Sequence, residues 1–390
     1  MGKKARVIAY YLPQFHPIPE NDEWWGKGFT EWTNVGKANP LFKGHNQPRV
    51  PADLGYYDLR LPEIREQQAE LARNAGIEGF CYYHYWFGKG KQLLERPFNE
   101  VLDSGKPDFP FCLCWANHDW TDKIWSDSGL TVESEKTLIK QEYSEDDNVK
   151  HFYHLLPAFK DKRYIKIEGK PCFVIWHPHD IPNCSSFINL WQQLAKENGL
   201  GGIYFIANQP TLSYLDLQNL PLSQIIKRNI NLAYDKFEKV LALGFDGINS
   251  KGDYRAEYYV RSNWMILKRK IYNLVFRKYT IIRSKQKDIN KYLYTEEDTQ
   301  NNVYPTLLPN WDHSPRSGKR RQIYVDSTPE VFKEQIKKAL SLIKDRDSEH
   351  RVLFLRSWNE WGEGNYVEPD LQYGHGYLDV LRETIIDDKD

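Results

Sequence analysis

The stretch Pro62-Glu-Ile-Arg-Glu-Gln-Gln-Ala-Glu-Leu-Ala-Arg-Asn-Ala75-Gly76-Ile77-Glu-Gly-Phe-Cys-Tyr-Tyr83 changes its hydrophobic period in the middle. Ile64, Leu71, Ala72 and Ala75 recur at helical spacing, and Pro62 stands in the first turn, where its missing N–H costs nothing. Gly76 stops the helix, and the apolar, aromatic run after it reads as a strand. The same succession of helix, glycine and strand recurs further along the chain. Phe187, Trp191, Leu194 and Ala195 form a second stripe, closed by Gly199 ahead of a strand at 202–207. Thr328-Pro329 opens a third helix with Val331, Phe332, Ile336, Ala339 and Leu340 on one side, ahead of a strand at 351–357. Further strands read at 6–11, 110–116, 171–176, 244–248 and 304–308. Strands alternating with helices imply parallel units of an α/β fold, and eight of them imply a closed (β/α)8 TIM-type barrel. A doubly wound open sheet is the other arrangement with this alternation.

Three connections are longer than a plain barrel needs: 12–59, 117–169 (with an acidic, polar segment) and 249–303. All follow C-terminal strand ends, where barrel enzymes build their sites. Between Arg261 and Tyr294 the third carries ten Lys or Arg and one acid, Asp288. Trp264, Leu267, Ile271, Leu274 and Val275 fall on one helical face there. This reads as a basic helical insertion with a solvated charged face; a weak membrane-surface contact is the sharper alternative. No repeat or linker interrupts the chain, so one barrel domain over 1–390 is expected, with the insertion at about 249–303.

Lys plus Arg and Asp plus Glu number 53 each, which removes the general field that would draw nucleic acid. None of the five cysteines has CxxC spacing, and Cys81, Cys112 and Cys172 lie in strands; buried reduced thiols fit a reducing compartment. Val7 to Leu12 is too short for a signal peptide, and no apolar run is long enough to cross a membrane. The expected location is the cytoplasm, at the periphery of the inner membrane if the insertion makes its contact. His177-Pro-His179-Asp180 has ligand-like spacing but no matching cluster elsewhere, and no glycine-rich nucleotide loop occurs. Neither metal nor cofactor is expected.

The chemistry concentrates at Leu353-Phe-Leu-Arg-Ser-Trp358-Asn359-Glu360-Trp361-Gly362-Glu363-Gly364. In a turn or helix, residues three apart come within ~5–6 Å. Paired carboxyls near that separation are what retaining glycoside hydrolysis requires, one of them protonating the leaving oxygen. Glu360 and Glu363 are therefore the candidate catalytic residues; a capping or ion-paired loop is the plainer reading. Other strand ends gather aromatics and amides suited to a sugar ring. They supply Tyr83, Tyr85 and Trp86; Trp115, Asn117 and Trp120; Trp176; Asn310 and Trp311; and Trp358 with Asn359. Of the 13 Trp, six (86, 115, 176, 311, 358 and 361) sit at or just past such an end, too many for each merely to plug the barrel.

Tyr10-Tyr-Leu-Pro-Gln-Phe-His16, Glu20-Asn-Asp, Trp25-Gly-Lys-Gly-Phe-Thr-Glu31-Trp32, Gly79-Phe-Cys-Tyr-Tyr-His-Tyr-Trp-Phe87, Cys114-Trp-Ala-Asn117 and Trp358 to Gly364 with Glu368-Pro369 together resemble the WbsX-type family, also called glycoside hydrolase family 99-like. The resemblance covers most of the chain. It implies a (β/α)8 barrel, a role in bacterial O-antigen, lipopolysaccharide or capsule synthesis, and His16, Glu31, Trp32 and Glu368 as further substrate-binding candidates. Family members carry a glycosyltransferase label, while the fold kinship is to retaining endo-acting α-mannoside hydrolases. By that kinship Glu360 would assist the sugar 2-hydroxyl, which attacks the anomeric carbon to form an epoxide, and Glu363 would be the acid/base. The chain departs from the hydrolase motif in having Gly362 where that motif has His. The expected partner is an oligo- or polysaccharide, handled by hydrolysis or transglycosylation. A glycosyltransferase using a nucleotide- or lipid-linked donor and a non-catalytic glycan-binding protein are the rival readings.

Overall fold

The computed structural model describes residues 2–122, 136–210, 233–276, 281–319 and 322–387. Its centre is eight parallel strands: β1 (Arg6–Tyr11), β2 (Ile77–Trp86), β3 (Phe111–Trp115), β4 (Lys170–Ile175), β5 (Tyr204–Pro210), β6 (Gly247–Lys251), β7 (Val303–Leu307) and β8 (Val352–Leu355). Each pairs with the next in sequence. β1 also pairs with β8, Val7 opposite Leu353 and Ile8 opposite Phe354, while its other edge places Tyr10 opposite Cys81 of β2. None of these eight strands leaves an edge open. The sheet is a closed (β/α)8 barrel, and the doubly wound alternative is excluded.

The helices that matter below are α1 (Glu31–Lys37), α2 (Pro62–Asn74), α3 (Glu145–Lys160), α4 (Cys184–Glu197), α5 (Asp253–Val260), α6 (Asn263–Phe276), the single turn α7 (Ser314–Ser317) and α8 (Pro329–Ile343). α2, α4 and α8 are the three expected from spacing. α8 begins as its sequence requires, the Thr328 side chain accepting from Val331 N–H. Phe187, Trp191, Leu194 and Ala195 of α4 are all buried. α2 differs in detail. Its buried face is Arg65, Gln68, Ala69 and Ala72, while Ile64 and Leu71 are only partly buried. The polar pair is tolerated because Arg65 Nη1 donates to Leu59 O, and Gln68 links the Tyr11 hydroxyl to Glu368, all at 2.6 Å.

The barrel interior mixes aromatic rings with small and polar groups. Tyr10 OH donates to Asn249 Oδ1 at 2.7 Å, Asn249 donates on to Thr306 Oγ1 at 2.8 Å, and the Tyr204 and Tyr304 hydroxyls meet at 2.7 Å. All five cysteines are buried and form no disulfide; those at 81, 112, 114 and 172 lie against one another. The insertion begins later than expected, because 249–251 complete β6, and α5 and α6 follow. Residues 123–135 of the 117–169 connection, and Arg277 and Lys278 of the basic stretch, lie outside the described residues.

Gly79 shows how tightly β2 and β3 approach: a Cβ there would lie 2.2 Å from the carbonyl oxygen of Pro110. Gly79→Ala should therefore lower stability by roughly 1–3 kcal/mol through forced backbone movement, read as a drop in melting temperature. An unchanged melting curve would contradict this packing.

Candidate active site

After Leu355 the chain passes through Arg356 to Glu360 and enters one turn of 3-10 helix, Trp361–Glu363. Glu363 N–H donates to Glu360 O, and Gly364 N–H to Trp361 O, both at 3.1 Å. That turn swings the carboxyl groups of Glu360 and Glu363 together, where an extended chain would separate them. Both approach Arg316 Nη1, at 2.6 Å from Glu363 Oε1 and 4.0 Å from Glu360 Oε2. Glu363 also meets His313 Nε2 at 3.3 Å and Arg356 Nη2 at 3.5 Å.

The two carboxyls consequently differ in charge. Burial, then the neighbouring charge of Glu363, pushes Glu360 up to about 8, against the weaker pull of Arg316 and Arg356. Burial raises Glu363 as well, but Arg316, His313 and Arg356 outweigh it and hold that carboxyl well below the usual range. At neutral pH the pair carries one proton, resting on Glu360, the arrangement that separates an acid from an ionised partner.

A third carboxyl completes the cluster. Glu31, in the first turn of α1, is fully buried, and its Oε1 accepts from Arg316 Nε at 2.9 Å. A Cβ on residue 362 would stand 1.6 Å from that oxygen and 3.0 Å from Arg316 Nε. Gly362 is thus required by contact. The histidine of the hydrolase motif has no room there, because the Glu31 carboxylate fills the space.

Around the carboxyls, Trp311 lies 4.6 Å beneath the Arg356 guanidinium, which also pairs with Asp253 at 3.1 Å. Trp176, partly exposed, lies 4.2 Å below Lys251 Nζ, whose pKa burial and Arg356 lower to about 8. Tyr83 stacks on Tyr10 at 5.5 Å and meets Trp176 edge-on at 5.3 Å. Tyr83 and Tyr85, two apart on β2, both feel the Glu360 charge, and Trp120 stands edge-on to Tyr85 at 5.2 Å. The fold thus brings Glu31, Tyr83, Tyr85 and Trp311 around Glu360 and Glu363 or the cations that hold them, with Trp120 and Trp176 packed behind Tyr85 and Tyr83.

The remaining candidates sit elsewhere. Trp86, on the opposite face of β2, donates to Asp147 Oδ2 at 2.8 Å and stacks on His151 of α3, and Trp115 donates to Trp86 O beside it. Both belong to the layer between barrel and helices. Trp358 is fully buried against Phe80. Trp32 packs on Phe15, Tyr57 and Trp361, and His16 binds Pro13 O at 3.1 Å, burial lowering its pKa to about 4. The amides act as clamps between loops: Asn359 grips both backbone groups of Leu12, Asn117 those of His177, and Asn310 joins Arg49 to Tyr366 O. Glu368 gathers Tyr57, Gln68 and Trp361 behind the site. A strand-end position did not imply an inward side chain. Arg316, His313, Arg356, Asp253 and Lys251 escaped the sequence reading. All but Arg316 stand at or just past strand ends, a signal set aside in favour of aromatics; Arg316 lies on α7, and no spacing marks it.

Gly362→Ala should cost ~1–3 kcal/mol by displacing the Glu31 carboxylate. In a Glu31→Ala background most of that cost should disappear, and equal losses in both backgrounds would contradict the contact. Glu360 also predicts a pH effect. Its folded pKa lies above the unfolded value of 4.5, so it lowers stability as pH rises from there to about 8. Glu360→Gln should therefore gain stability over the parent across that window, by about 1–3 kcal/mol at its upper end, in melting curves taken against pH.

The sequence matches the glycosyltransferase WbsX family over residues 7–381. Uncharacterized protein WxcX from two Xanthomonas campestris pv. campestris strains, B100 and ATCC 33913, is 33% identical over 386 residues, covering 98% of this chain. The chain spans about half the length of those curated relatives (50%). Among solved structures, a glycoside hydrolase-like protein superimposes with a TM-score of 0.57 at 15% identity, over 98% of this chain and 94% of its own. The GH99 endo-alpha-mannosidase from Bacteroides thetaiotaomicron does so with 0.54 at 14%, over 97% and 96%. At such identities the two structures share the fold with this chain, while the sequence match over nearly its full length carries the kinship: the chain belongs to the glycosyltransferase WbsX family.

Proposed function

We propose that this protein is a retaining carbohydrate-active enzyme, a glycosidase or transglycosylase acting on a bacterial surface polysaccharide of the O-antigen or capsule type. The observation that carries the reading is the Glu360–Glu363 pair, two carboxyls that one turn sets beside the same Arg316 nitrogen and whose pKa values are displaced in opposite directions. Retaining enzymes hold their two carboxyls about 5–5.5 Å apart and inverting enzymes roughly 6.5–9.5 Å, and a pair that reaches one guanidinium nitrogen, at 2.6 Å from Glu363 and 4.0 Å from Glu360, favours the closer arrangement. Glu360 serves as proton donor to the departing glycosidic oxygen. Glu363, kept ionised by Arg316, His313 and Arg356, attacks the anomeric carbon as the glycosidic C–O bond breaks, and water or an acceptor hydroxyl, giving its proton to Glu360, then displaces the carboxylate from the glycosyl ester. These roles differ from those the family resemblance implies. The reason is that a carboxylate tied to two guanidinium groups is a poor proton carrier, whereas Glu360 already holds one. Trp176, Tyr83 and Tyr85 offer apolar faces to the sugar. The family's description favours a second reading, a glycosyltransferase, which would form product only when an activated sugar donor is supplied.

The test is incubation with oligosaccharides from the surface glycan of the source bacterium and with activated aryl glycosides, products being followed by mass spectrometry. Glu363→Gln should lose ~10³-fold or more on every substrate, while Glu360→Gln should keep most activity on aryl glycosides with good leaving groups, which need no proton. The reverse pattern would overturn the assignment. Activity on unactivated glycan should fall as pH rises through about 8, where Glu360 loses its proton. Turnover that depends strictly on a nucleotide- or lipid-linked donor would replace this reading with the second one.

A further inference from the structure

The helix α6 departs from every other helix among the described residues in the way its apolar residues are used. Ten large apolar side chains are exposed among the described residues, and five of them, Trp264, Met265, Ile271, Val275 and Phe276, lie on this one helix. They are 40% to 69% exposed. Trp264, Ile271 and Val275, at i, i+7 and i+11, fall on one line, and Met265 and Phe276 flank it. The result is a continuous apolar arc rather than scattered side chains. Lys268, exposed one turn after Trp264, stands within the arc.

The charge of the segment that carries this arc is one-sided. The whole chain balances 53 basic against 53 acidic residues, yet Arg261 to Tyr294 holds ten Lys or Arg and only Asp288 in opposition. Beyond Lys268, the exposed members include Arg283, Lys285, Lys287 and Lys291. Lys285 and Lys291 have acidic neighbours, Asp326 at 3.5 Å and Asp288 at 2.7 Å, so part of the charge is answered locally. A solvated charged face, the plainer expectation for this stretch, would not place Trp, Ile, Val and Phe in water. The helix has 14 residues, a length of about 21 Å, which falls short of the ~30 Å hydrocarbon core of a bilayer. An apolar arc on a helix too short to span, set in a basic segment, is the pattern of a helix lying in the membrane interface.

We propose that α6 docks this protein on a lipid bilayer rich in anionic headgroups. Trp264, Ile271 and Val275 enter the headgroup–acyl boundary, while the basic residues of the insertion face the anionic phosphates. Lys268 follows by extending its amine outward from the apolar line. The chain leads into α6 from β6 by way of α5, whose Asp253 holds Arg356 of the active site. The docking helix therefore belongs to the end of the barrel that carries Glu360 and Glu363. The proposal does not depend on the assigned reaction, and its test uses no substrate.

The whole chain is sedimented with vesicles of phosphatidylcholine alone and of phosphatidylcholine mixed with phosphatidylglycerol. Binding is expected to the mixed vesicles only, and to weaken in salt of roughly 1 M, where electrostatic attraction is screened within about 3 Å. Trp264→Glu combined with Ile271→Glu and Val275→Glu should reduce binding about tenfold or more. All three side chains are exposed, so the melting temperature should stay put. Lys268→Glu with Lys287→Glu should lower binding to the mixed vesicles and flatten the salt dependence. Failure to bind the mixed vesicles, or equal binding by the triple variant, would refute the proposal. A dimer in light scattering that the triple variant dissolves, without lipid binding, would assign the arc to a second copy instead.

Discussion

Arg316 stands among three buried carboxyl groups, at 2.9 Å from Glu31, 2.6 Å from Glu363 and 4.0 Å from Glu360. Three such groups in a low-dielectric interior repel one another strongly, and each loses hydration on burial. One guanidinium cannot neutralise them all. Its short contacts go to Glu31 and Glu363, and Glu363 gains Arg356 and His313 besides. Glu360 is left with the weakest share, so its charge is the one given up and a proton stays in place. The difference between two chemically identical side chains, three residues apart, arises from the burial of Glu360 beside a charged neighbour and from the cations that reach Glu363.

The same constraint fixes backbone that does no chemistry. Gly362 has no side chain because Glu31 needs the space, and Glu31 occupies it because Arg316 draws its carboxylate there. Around this centre, amide side chains tie one strand-end loop to the next. Asn359 joins the β8 loop to the β1 loop, Asn117 joins β3 to β4, and Asn310 joins the β7 loop to the segments before and after it. Glu368 does similar work, its carboxyl pushed up to about 7 by burial while Trp361, Gln68 and Tyr57 bond to it. Such fully bonded polar groups are costly to disturb, and they hold the catalytic loop in one geometry without touching the reacting atoms.

The insertion after β6 serves both ends of this design. Asp253, its first helical residue, orients Arg356, which in turn contacts Glu363 and lies over Trp311. A few residues later α6 turns an apolar arc to solvent. One excursion from the barrel thus contributes to the electrostatics of the pair and carries the surface proposed to meet lipid.

The sequence determined the alternation of strands and helices, because a switch between helical and strand periodicity is a local property written in each segment, as Pro62 to Tyr83 shows; that the sheet closes into a barrel was decided by the pairing of β1 with β8. It also made a shared turn available to Glu360 and Glu363, since Gly362 and Gly364 permit tight backbone turns, but only the folded chain shows that the turn is taken. It could not determine direction. Tyr83, Tyr85 and Trp86 are equally aromatic neighbours on β2, yet two turn toward the pair and one away, because alternate side chains leave a strand on opposite faces. Nor could it reveal Arg316, or that Glu31, singled out by family resemblance alone, meets it across 285 positions when the barrel closes. Charge, too, was decided in three dimensions: a carboxyl's proton affinity depends on burial and on neighbours brought from other strand ends, and these exist only in the folded chain.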